Sequence, residues 1–460
     1  MRLRSTEPAK QRKCSAADWL ALLIAITALT CAQTARSQDT ASTSPQTQSV
    51  SVNFPEHGDA DGRRKALAER GIAYTLNYVG EWQINTTGGV GRDGFYIGRL
   101  ETVVDVDLAK FAGWHGLALH LNGFQIHGDG ESGVKIGNLM TTSYIEALPT
   151  TRLSELWLEE QLIDKTLSVR IGQLAADTEF NTSTYANQFI NATFGWPAIF
   201  SVDLPSGGPA YPFAALGVRV KFDPDKNVSV LASVLNGDPA GPGRGDPQMR
   251  NRYGLNFRLQ DPPLILGEVQ YRYNKAPADP GLAGTLKLGG WHHFGEFNDR
   301  QVETDDLSPT IPSGHGPTRV RGNHGIYAVI DQQIWKLQSD DPDKGVGIFV
   351  RGSASPSDRN LVDLYVDGGI VFAGLVPRRP DDVVSIGAAY AHTSGSSDIA
   401  RSYEALLEIN YQAQIVPGLQ IDLDLQRIIN PNVSATYADD AVGPTASNAT
   451  VLTLHTSIKY

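Results

Sequence analysis

Charged side chains recur on one face of several strand-like runs, where they could act together on a solute. The set consists of Arg99, Glu101, Glu159, Arg170 and Arg219. Arg170 stands between the apolar residues Val169 and Ile171, so a period of two places it on the opposite face. Arginines and carboxylates that oppose each other across water create a transverse field suited to polar, uncharged solutes. An ion-pair network that braces the wall is the alternative interpretation.

A second group of polar and aromatic residues falls in the segment 174–214, which follows a predicted strand and is rich in Phe, Asn, Gly and Pro. Its candidates are Asp177, Glu179, Asn181, Asn191, Phe194 and Trp196. Connections of this length are usually functional. We therefore predict that the segment folds inward and narrows a channel. The alternative is that Phe189, Phe194 and Trp196 only pack the segment against the wall.

The elements that must position these residues are strands. Residues 418–427 alternate Leu or Ile with Gln or Asp, and residues 402–413 repeat the pattern before a tight connection at 415–418. The apolar faces run about ten residues, close to the ~9–11 that a tilted membrane-spanning strand needs. Lipid penalises an arginine at mid-depth by roughly 2–4 kcal/mol, so the charged faces must line water. The predicted fold class is all-β, a transmembrane antiparallel β-barrel.

Single-chain bacterial barrels have an even number of strands, and we predict about 16. The candidate runs number seventeen, so one assignment must be wrong. The region 236–293 is the suspect, and strand boundaries between residues 236 and 335 stay open. Short turns are predicted at Asp223–Asn227, Asp261–Pro263 and Val376–Asp382, with a short helix at residues 61–70. A soluble β-sandwich shows similar alternation and is the alternative fold.

The N-terminus predicts export. A basic stretch precedes the apolar run Trp19–Thr30, and small residues follow, with cleavage expected after Ala32 or Ser37. We predict a signal peptide at residues 1–37, a flexible leader with the short helix at 38–70 and the barrel at 71–460. Both cysteines, Cys14 and Cys31, lie in or beside the signal. The mature chain then has no disulfide, cysteine metal site or cysteine nucleophile.

Overall charge and the C-terminus narrow the interpretation. A formal net charge of −11 argues against a nucleic-acid partner. The mean hydropathy of −0.22 would suit a soluble protein, but a polar-lined barrel gives the same average. The last residues, Val451–Tyr460, alternate and stop on an aromatic residue. Outer-membrane barrels commonly end in this way, so we expect the barrel assembly machinery to engage this strand.

Several stretches resemble the carbohydrate-selective porin family of the OprB type, over about Gly71 to Tyr460. They are Val169–Phe180, Gln188–Pro197, Pro205–Val220, Gly284–Trp291, Ser357–Tyr365, Tyr403–Gln414 and Leu419–Asn432. The resemblance implies an outer-membrane channel for passive diffusion of monosaccharides and similar small polar solutes. It implies no cofactor, metal or turnover chemistry.

Two other functions are alternatives to a channel. An outer-membrane or surface glycan-acting enzyme is an alternative because carboxylates abound, but no compact nucleophile–base constellation is present, so no catalytic residue is predicted. His292 and His293 lack metal-ligand companions. A soluble sugar-binding β-sandwich is the second alternative. The expected partners are small carbohydrates and outer-membrane lipid, and the sequence leaves a homotrimer open.

Overall fold

The computed structural model describes residues 49–53, 59, 61–130, 132–275, 279, 281–300, 319–338, 341, 343–394, 402–431 and 446–460. The predicted signal peptide and the leader up to residue 48 lie outside the described residues. Sixteen strands form one closed antiparallel sheet, in which each strand pairs with its neighbours in chain order and the last pairs with the first. The predicted all-β barrel is confirmed.

The strands are β1 Ile72–Gly89, β2 Gly94–Asp107, β3 Leu117–Gly128, β4 Thr150–Leu162, β5 Leu167–Leu174, β6 Ala215–Phe222, β7 Val228–Asn236, β8 Pro263–Tyr273, β9 Gly284–Asn298, β10 Arg319–Lys336, β11 Gly345–Ala354, β12 Val362–Ala373, β13 Val383–Thr393, β14 Tyr403–Val416, β15 Leu419–Ile429 and β16 Ser447–Lys459. The helices, all short, are Val50–Asn53, Arg63–Glu69, Leu108–Ala112, Ser132–Lys135, Ala176–Thr178, Ala186–Gln188, Ala192–Phe194, Ala198–Asp203, Pro205–Gly207 and Pro247–Arg250. Among the described residues, no helix has the length and apolar character needed to cross a membrane.

The two faces of the strands show which side meets lipid. On β15, Asp422 and Asp424 are buried inside the barrel, whereas Leu423 between them is 59% exposed on the outside. This is the reverse of a soluble sandwich, in which the apolar face is the buried one. Because apolar side chains point outward and polar ones inward, the wall suits a hydrocarbon environment around an aqueous interior.

Connections differ at the two ends of the barrel. The end that carries the start of β1 and the end of β16 has short links such as 163–166, 223–227 and 417–418, whereas the other end carries 129–149, 175–214 and 237–262. In the shortest of these links, 417–418, Gly418 has a φ of 77°, a backbone conformation that glycine adopts most easily. This asymmetry is typical of outer-membrane barrels, whose short turns face the periplasm.

The suspected region 236–293 contains two strands, β8 and β9, and one long connection. Residues 253–260 alternate apolar and polar side chains, and Leu255 among them is 61% exposed, like the outward-facing residues of the strands. These residues nevertheless belong to no strand. The predicted short turn at Asp261–Pro263 is therefore wrong, because Asp261 lies at the end of the connection 237–262. Alternation alone cannot reveal whether a run finds a hydrogen-bonding partner strand.

The barrel closes where the first and last strands meet. The N–H of Tyr460 donates to the carbonyl of Leu76 at 2.7 Å, and the N–H of Leu76 donates back at 3.0 Å. The predicted short helix is present at Arg63–Glu69, and Arg64 from it lies over the rings of Tyr74 and Tyr460, 5.4 and 4.8 Å from their centres. The helix is thereby held at the barrel seam.

Candidate functional site

The connection between β5 and β6, here called the long inner loop (residues 175–214), crosses the inside of the barrel. Phe189 and Phe194 stack at 4.4 Å between ring centres, and both lie against Phe349 of β11. Phe200 contacts Trp291 of β9 at 4.5 Å. A loop that starts at β5 therefore packs its apolar side chains on strands across the barrel.

Polar groups of the wall hold the backbone of this loop. The N–H of Asn181 donates to Glu268 at 2.8 Å, and the N–H of Thr184 donates to Asp331 at 2.9 Å. Arg351, fully buried and ion-paired with Asp367, donates to the carbonyl of Asn181 at 3.0 Å. Irregular backbone inside a membrane protein needs such partners. The loop is thus a fixed part of the interior.

A second connection, here called the short inner loop (residues 129–149), lies beside the long one, and the sequence did not predict it. The hydroxyl of Tyr211 donates to the carbonyl of Ile145 at 2.7 Å. The N–H of Tyr144 donates to the carbonyl of Ile190 at 2.9 Å. The two loops meet inside the barrel and leave a cavity of ≈ 740 Å³ between themselves and the wall strands β1–β4.

Arg99 is the cation that borders this cavity, against several carboxylates. Its guanidinium carbon lies 5.0 Å from the ring centre of Phe124, 5.1 Å from that of Tyr211 and 5.6 Å from that of Tyr144. Its Nη2 is 3.5 Å from Oε2 of Glu101. The three rings come from β3 and from the two inner loops. Arg99 therefore contacts the wall and both inner loops.

The carboxylates that border the cavity are Glu101, Glu146, Glu155, Asp177 and Asp246. Among them, Asp177 accepts the N–H of Tyr211 at 2.9 Å. Burial raises the pKa of Asp177 from 3.8 to about 7, against the lowering effect of that N–H. Burial also raises the pKa of Tyr144 and Tyr211, so both present neutral hydroxyl groups at neutral pH.

Four of the predicted residues form a separate ion-pair network at the base of the long inner loop. Arg170 is paired with Glu159 and lies 3.5 Å from Glu179. Arg219 lies 2.8 Å from Glu179 and 3.2 Å from Glu159. The guanidinium of Arg170 also stacks 4.0 Å over Trp157. The structure thus brings Glu159, Arg170, Arg219 and Glu179 together, and Arg99 makes no described ion pair with them.

The remaining predicted residues occupy two environments. Asp177 and Trp196 border the cavity. Asn181, Asn191 and Phe194 are buried between the long inner loop and the wall, at no more than 1% exposure. Of the three residues named in the packing alternative, Phe194 is buried in this way, whereas Phe189 and Trp196 border the cavity.

Several cavity residues were not predicted. They are Asn122, Phe124, Tyr144, Glu146, Glu155, Tyr211 and Asp246. Asn122 and Phe124 alternate with Leu121 and Gly123, so the period of β3 was a usable signal. Tyr144 and Tyr211 lie in loops, where no periodicity reports the direction of a side chain. Within the described ranges, no cluster of His, Cys, Asp or Glu could hold a metal ion.

The sequence is similar to a family of porins and to two proteins that are named as porins. A sequence model described as the carbohydrate-selective porin, OprB family, matches residues 91–460. The chain is 25% identical to "Porin B" of Pseudomonas aeruginosa over 367 residues, which cover 77% of this chain and 76% of that protein. It is 21% identical to "Putative porin QuiX" of Acinetobacter baylyi over 418 residues, covering 84% and 90% of the two chains.

A solved structure shares the fold. The high-pH structure of Pseudomonas putida OprB superimposes with a TM-score of 0.73 at 21% identity, covering 88% of this chain and 97% of that one. The low-pH structure of the same protein gives a TM-score of 0.54 at 18% identity.

Proposed function

The chain belongs to the carbohydrate-selective porin family, OprB, and is an outer-membrane porin; from this premise we propose that the cavity between the two inner loops is its selective passage. Monosaccharides and other small polar solutes diffuse through it passively, down their gradients. The observation that carries the proposal is the position of Arg99, which lies at the cavity among rings and carboxylates from the wall and both loops.

The chemistry of the lining fits a polyol. Arg99 and the Tyr hydroxyls can donate to sugar hydroxyls, and Glu101 and Asp177 can accept from them. The rings of Phe124 and Tyr211 add apolar surface for the C–H face of a pyranose. Glu101, Asp177 and Tyr211 already have hydrogen-bond partners in the wall or loops, so at these groups a sugar exchanges hydrogen bonds without gaining many, and binding stays weak enough for release.

We assign the ion-pair network a different task. Arg170, Arg219, Glu159 and Glu179 satisfy one another, so we propose that they brace the base of the long inner loop and act on solutes only through their field. Asn181, Asn191 and Phe194 hold the loop on the wall. Asp177 and Trp196 remain as the predicted residues of this loop that border the passage.

Passive diffusion implies that the solute leaves unchanged. We therefore propose a channel without turnover chemistry, in contrast to a glycan-acting enzyme. Incubation of the purified barrel with oligosaccharides, followed by mass spectrometry, should return them intact, and cleavage products would overturn this part of the proposal.

The proposed partners follow from the outer surface and the last strand. Outward apolar side chains such as Leu423 and Leu454 would contact outer-membrane lipid, and the barrel assembly machinery would engage β16 through its end at Tyr460. Residues 1–37 would be removed on export. The cavity lies within one chain, so a homotrimer is not needed for passage, and light scattering in detergent distinguishes one copy from three.

Planar-bilayer recording tests the passage directly. Neutral monosaccharides should reduce the ionic current in a saturable way, and R99Q should weaken that effect. R244Q is the matched control, because Arg244 is exposed in the outer connection 237–262 and the change removes the same charge. The proposal fails if sugars leave the current of the wild-type channel unaltered, or if they reduce the current of R99Q at the same concentrations as that of wild type.

A further inference from the structure

Two glutamates on one strand contact both inner loops. Glu404 and Glu408 lie on the interior face of β14, four residues apart, and neither has any exposed surface. Each side chain points at the backbone of a different loop, Glu404 at the short inner loop and Glu408 at the long one. Neither forms an ion pair within the described part of the chain.

Each carboxylate accepts two consecutive backbone N–H groups. Glu404 accepts from Leu139 and Met140 at 2.8 Å each, one on each oxygen. Glu408 accepts from Ile190 at 2.6 Å and from Asn191 at 3.2 Å, again one on each oxygen. Successive N–H groups that converge on an anion form a directional site, and bonds to a carboxylate are stronger than neutral ones. Each glutamate therefore fixes both the position and the direction of the loop segment it holds.

The two held segments also bind each other. The N–H of Ala192 donates to the carbonyl of Thr141 at 2.9 Å, and the amide of Asn191 donates to the carbonyl of Met140 at 3.3 Å. Gln426, the register partner of Glu408 on β15, donates to the carbonyl of Thr142 at 2.8 Å and accepts from Asn191 at 3.0 Å. The loops are thus joined to one another at the place where the wall holds them.

The held segments border the passage. Leu139 and Met140, which Glu404 holds, line the cavity from the short inner loop, and Phe189 and Ala192, which flank the two residues held by Glu408, line it from the long one. A shift of either segment would change the distance across the cavity. Glu404 and Glu408 themselves are not among the residues that line the cavity; they lie behind them.

We propose that Glu404 and Glu408 are positioning residues that set the bore of the constriction and keep it permanently formed. Neither touches the solute; each acts through the loop backbone that it holds. The proposal rests on the use of this cavity as the passage, but its test needs no sugar. It predicts a channel whose inner loops do not open and close during transport.

Glutamine is the informative substitution, because it keeps the shape but replaces one carboxylate oxygen with an NH₂ group. That group faces a backbone N–H, so donor meets donor and one buried N–H loses its acceptor. Loss of one such bond should raise the population of displaced loop by roughly tenfold. E408D retains two acceptor oxygens on a shorter side chain and should fall between E408Q and wild type.

The measurement is single-channel current noise and conductance in KCl alone, for E404Q, E408Q, E404Q/E408Q and E408D. We expect more low-frequency noise and a broader conductance distribution in the glutamine variants, largest in the double variant, with barrels that still shift their gel mobility on heating. D422N is the matched control. It removes a similarly buried interior carboxylate of β15 that pairs with Gln420 and His455 and, among the described residues, accepts no hydrogen bond from either inner loop.

Wild-type noise and conductance in both single glutamine variants would overturn the proposal, whether or not the double variant assembles. The same change in D422N would also overturn it, because the effect would then follow from loss of buried charge. If instead sugars fail to act on the wild-type channel, the proposed passage is wrong. The comparison of current noise still tests whether Glu404 and Glu408 hold the inner loops in place.

Discussion

Nε of Arg219 on β6 donates to Oε2 of Glu179 at 2.8 Å, which ties a buried wall arginine to the first turn of the long inner loop. Nη2 of the same arginine reaches Glu159 at 3.2 Å, and Arg170 is paired with Glu159 as well. The entry of the loop is therefore held by paired charges, while its middle is held by backbone hydrogen bonds.

R219Q should destabilise the barrel, because Glu159 and Glu179 both lose a buried partner. The cost is about 3 kcal/mol, as for one member of a buried ion pair. Equilibrium unfolding in urea, followed by gel mobility, measures it. In E179Q/R219Q the loss should be smaller than the sum of the two single losses.

R319Q is the control for that measurement. Arg319 and Glu296 form an exposed pair at 3.6 Å, and such pairs contribute only about 0–1 kcal/mol. Equal losses in R219Q and R319Q would show that burial of the network adds nothing.

R170A should change ion selectivity. The substitution removes the guanidinium from Trp157 and Glu159, so the interior gains uncompensated negative charge and should favour cations more strongly. The reversal potential in a KCl gradient measures this, with R92Q on an exposed outer turn as the control. Unchanged selectivity together with unchanged sugar flux would remove Arg170 from the determinants of transport.

Deletion within the long inner loop should widen the passage. Replacing residues 182–207 with a short Gly-Ser linker keeps Glu179 and Tyr211 and removes the part that crosses the barrel. We expect conductance to rise roughly twofold or more, because the constriction and not the barrel sets the resistance. Unchanged conductance after this deletion would contradict the role of the loop.

Selectivity should depend on pH through Asp177. Its pKa is raised from 3.8 to about 7 by burial, so the carboxyl gains its charge as pH rises through about 7. Cation preference in a KCl gradient should increase between about pH 6 and pH 8. D177N should flatten that change, whereas D164N, on the exposed turn between β4 and β5, should retain it.

The raised pKa of Asp177 also makes the free energy of unfolding depend on pH. Because the folded-state pKa of Asp177 lies above 3.8, its contribution to stability is complete below about pH 4 and is lost as pH rises through about 7. Unfolding of D177N should therefore vary less across this interval than that of wild type. Parallel curves for the two proteins would show that Asp177 does not titrate there.

Closure of the barrel should depend on Tyr460. Y460A removes the ring that Arg64 covers and the aromatic end of β16, so fewer folded barrels should form. Y460F keeps the ring and should assemble like wild type. R64A loses the cation–π contacts with Tyr74 and Tyr460, about 0.5–1 kcal/mol each, and the hydrogen bonds of Arg64 to Ser49 and to the carbonyl of Tyr74, and should lower the unfolding midpoint without lowering yield. Normal yield of Y460A would contradict a role for the terminal aromatic residue in assembly.

The wall of this barrel could be predicted from the sequence to a large extent. A strand with lipid on one side and water on the other must alternate, and the alternation in residues 418–427 and 451–460 corresponds to β15 and β16. Alternation also places the side chains of Arg99, Glu159, Arg170 and Arg219 on the interior face. It failed at residues 253–260, because a period of two records side-chain direction and not the presence of a pairing strand.

The site depended on the tertiary structure. The length of the segment 174–214 predicted an inward fold, but nothing local showed that residues 129–149 would lie beside it. The partners of Arg99 come from positions as distant as Phe124 and Tyr211, and irregular loops have no period to report which side chains converge. The sequence by itself determined the barrel, its polar interior and its family, since each strand carries that information in its own residues. Only the packing of two loops against the wall decided which of the interior charges border the cavity and which pair with one another.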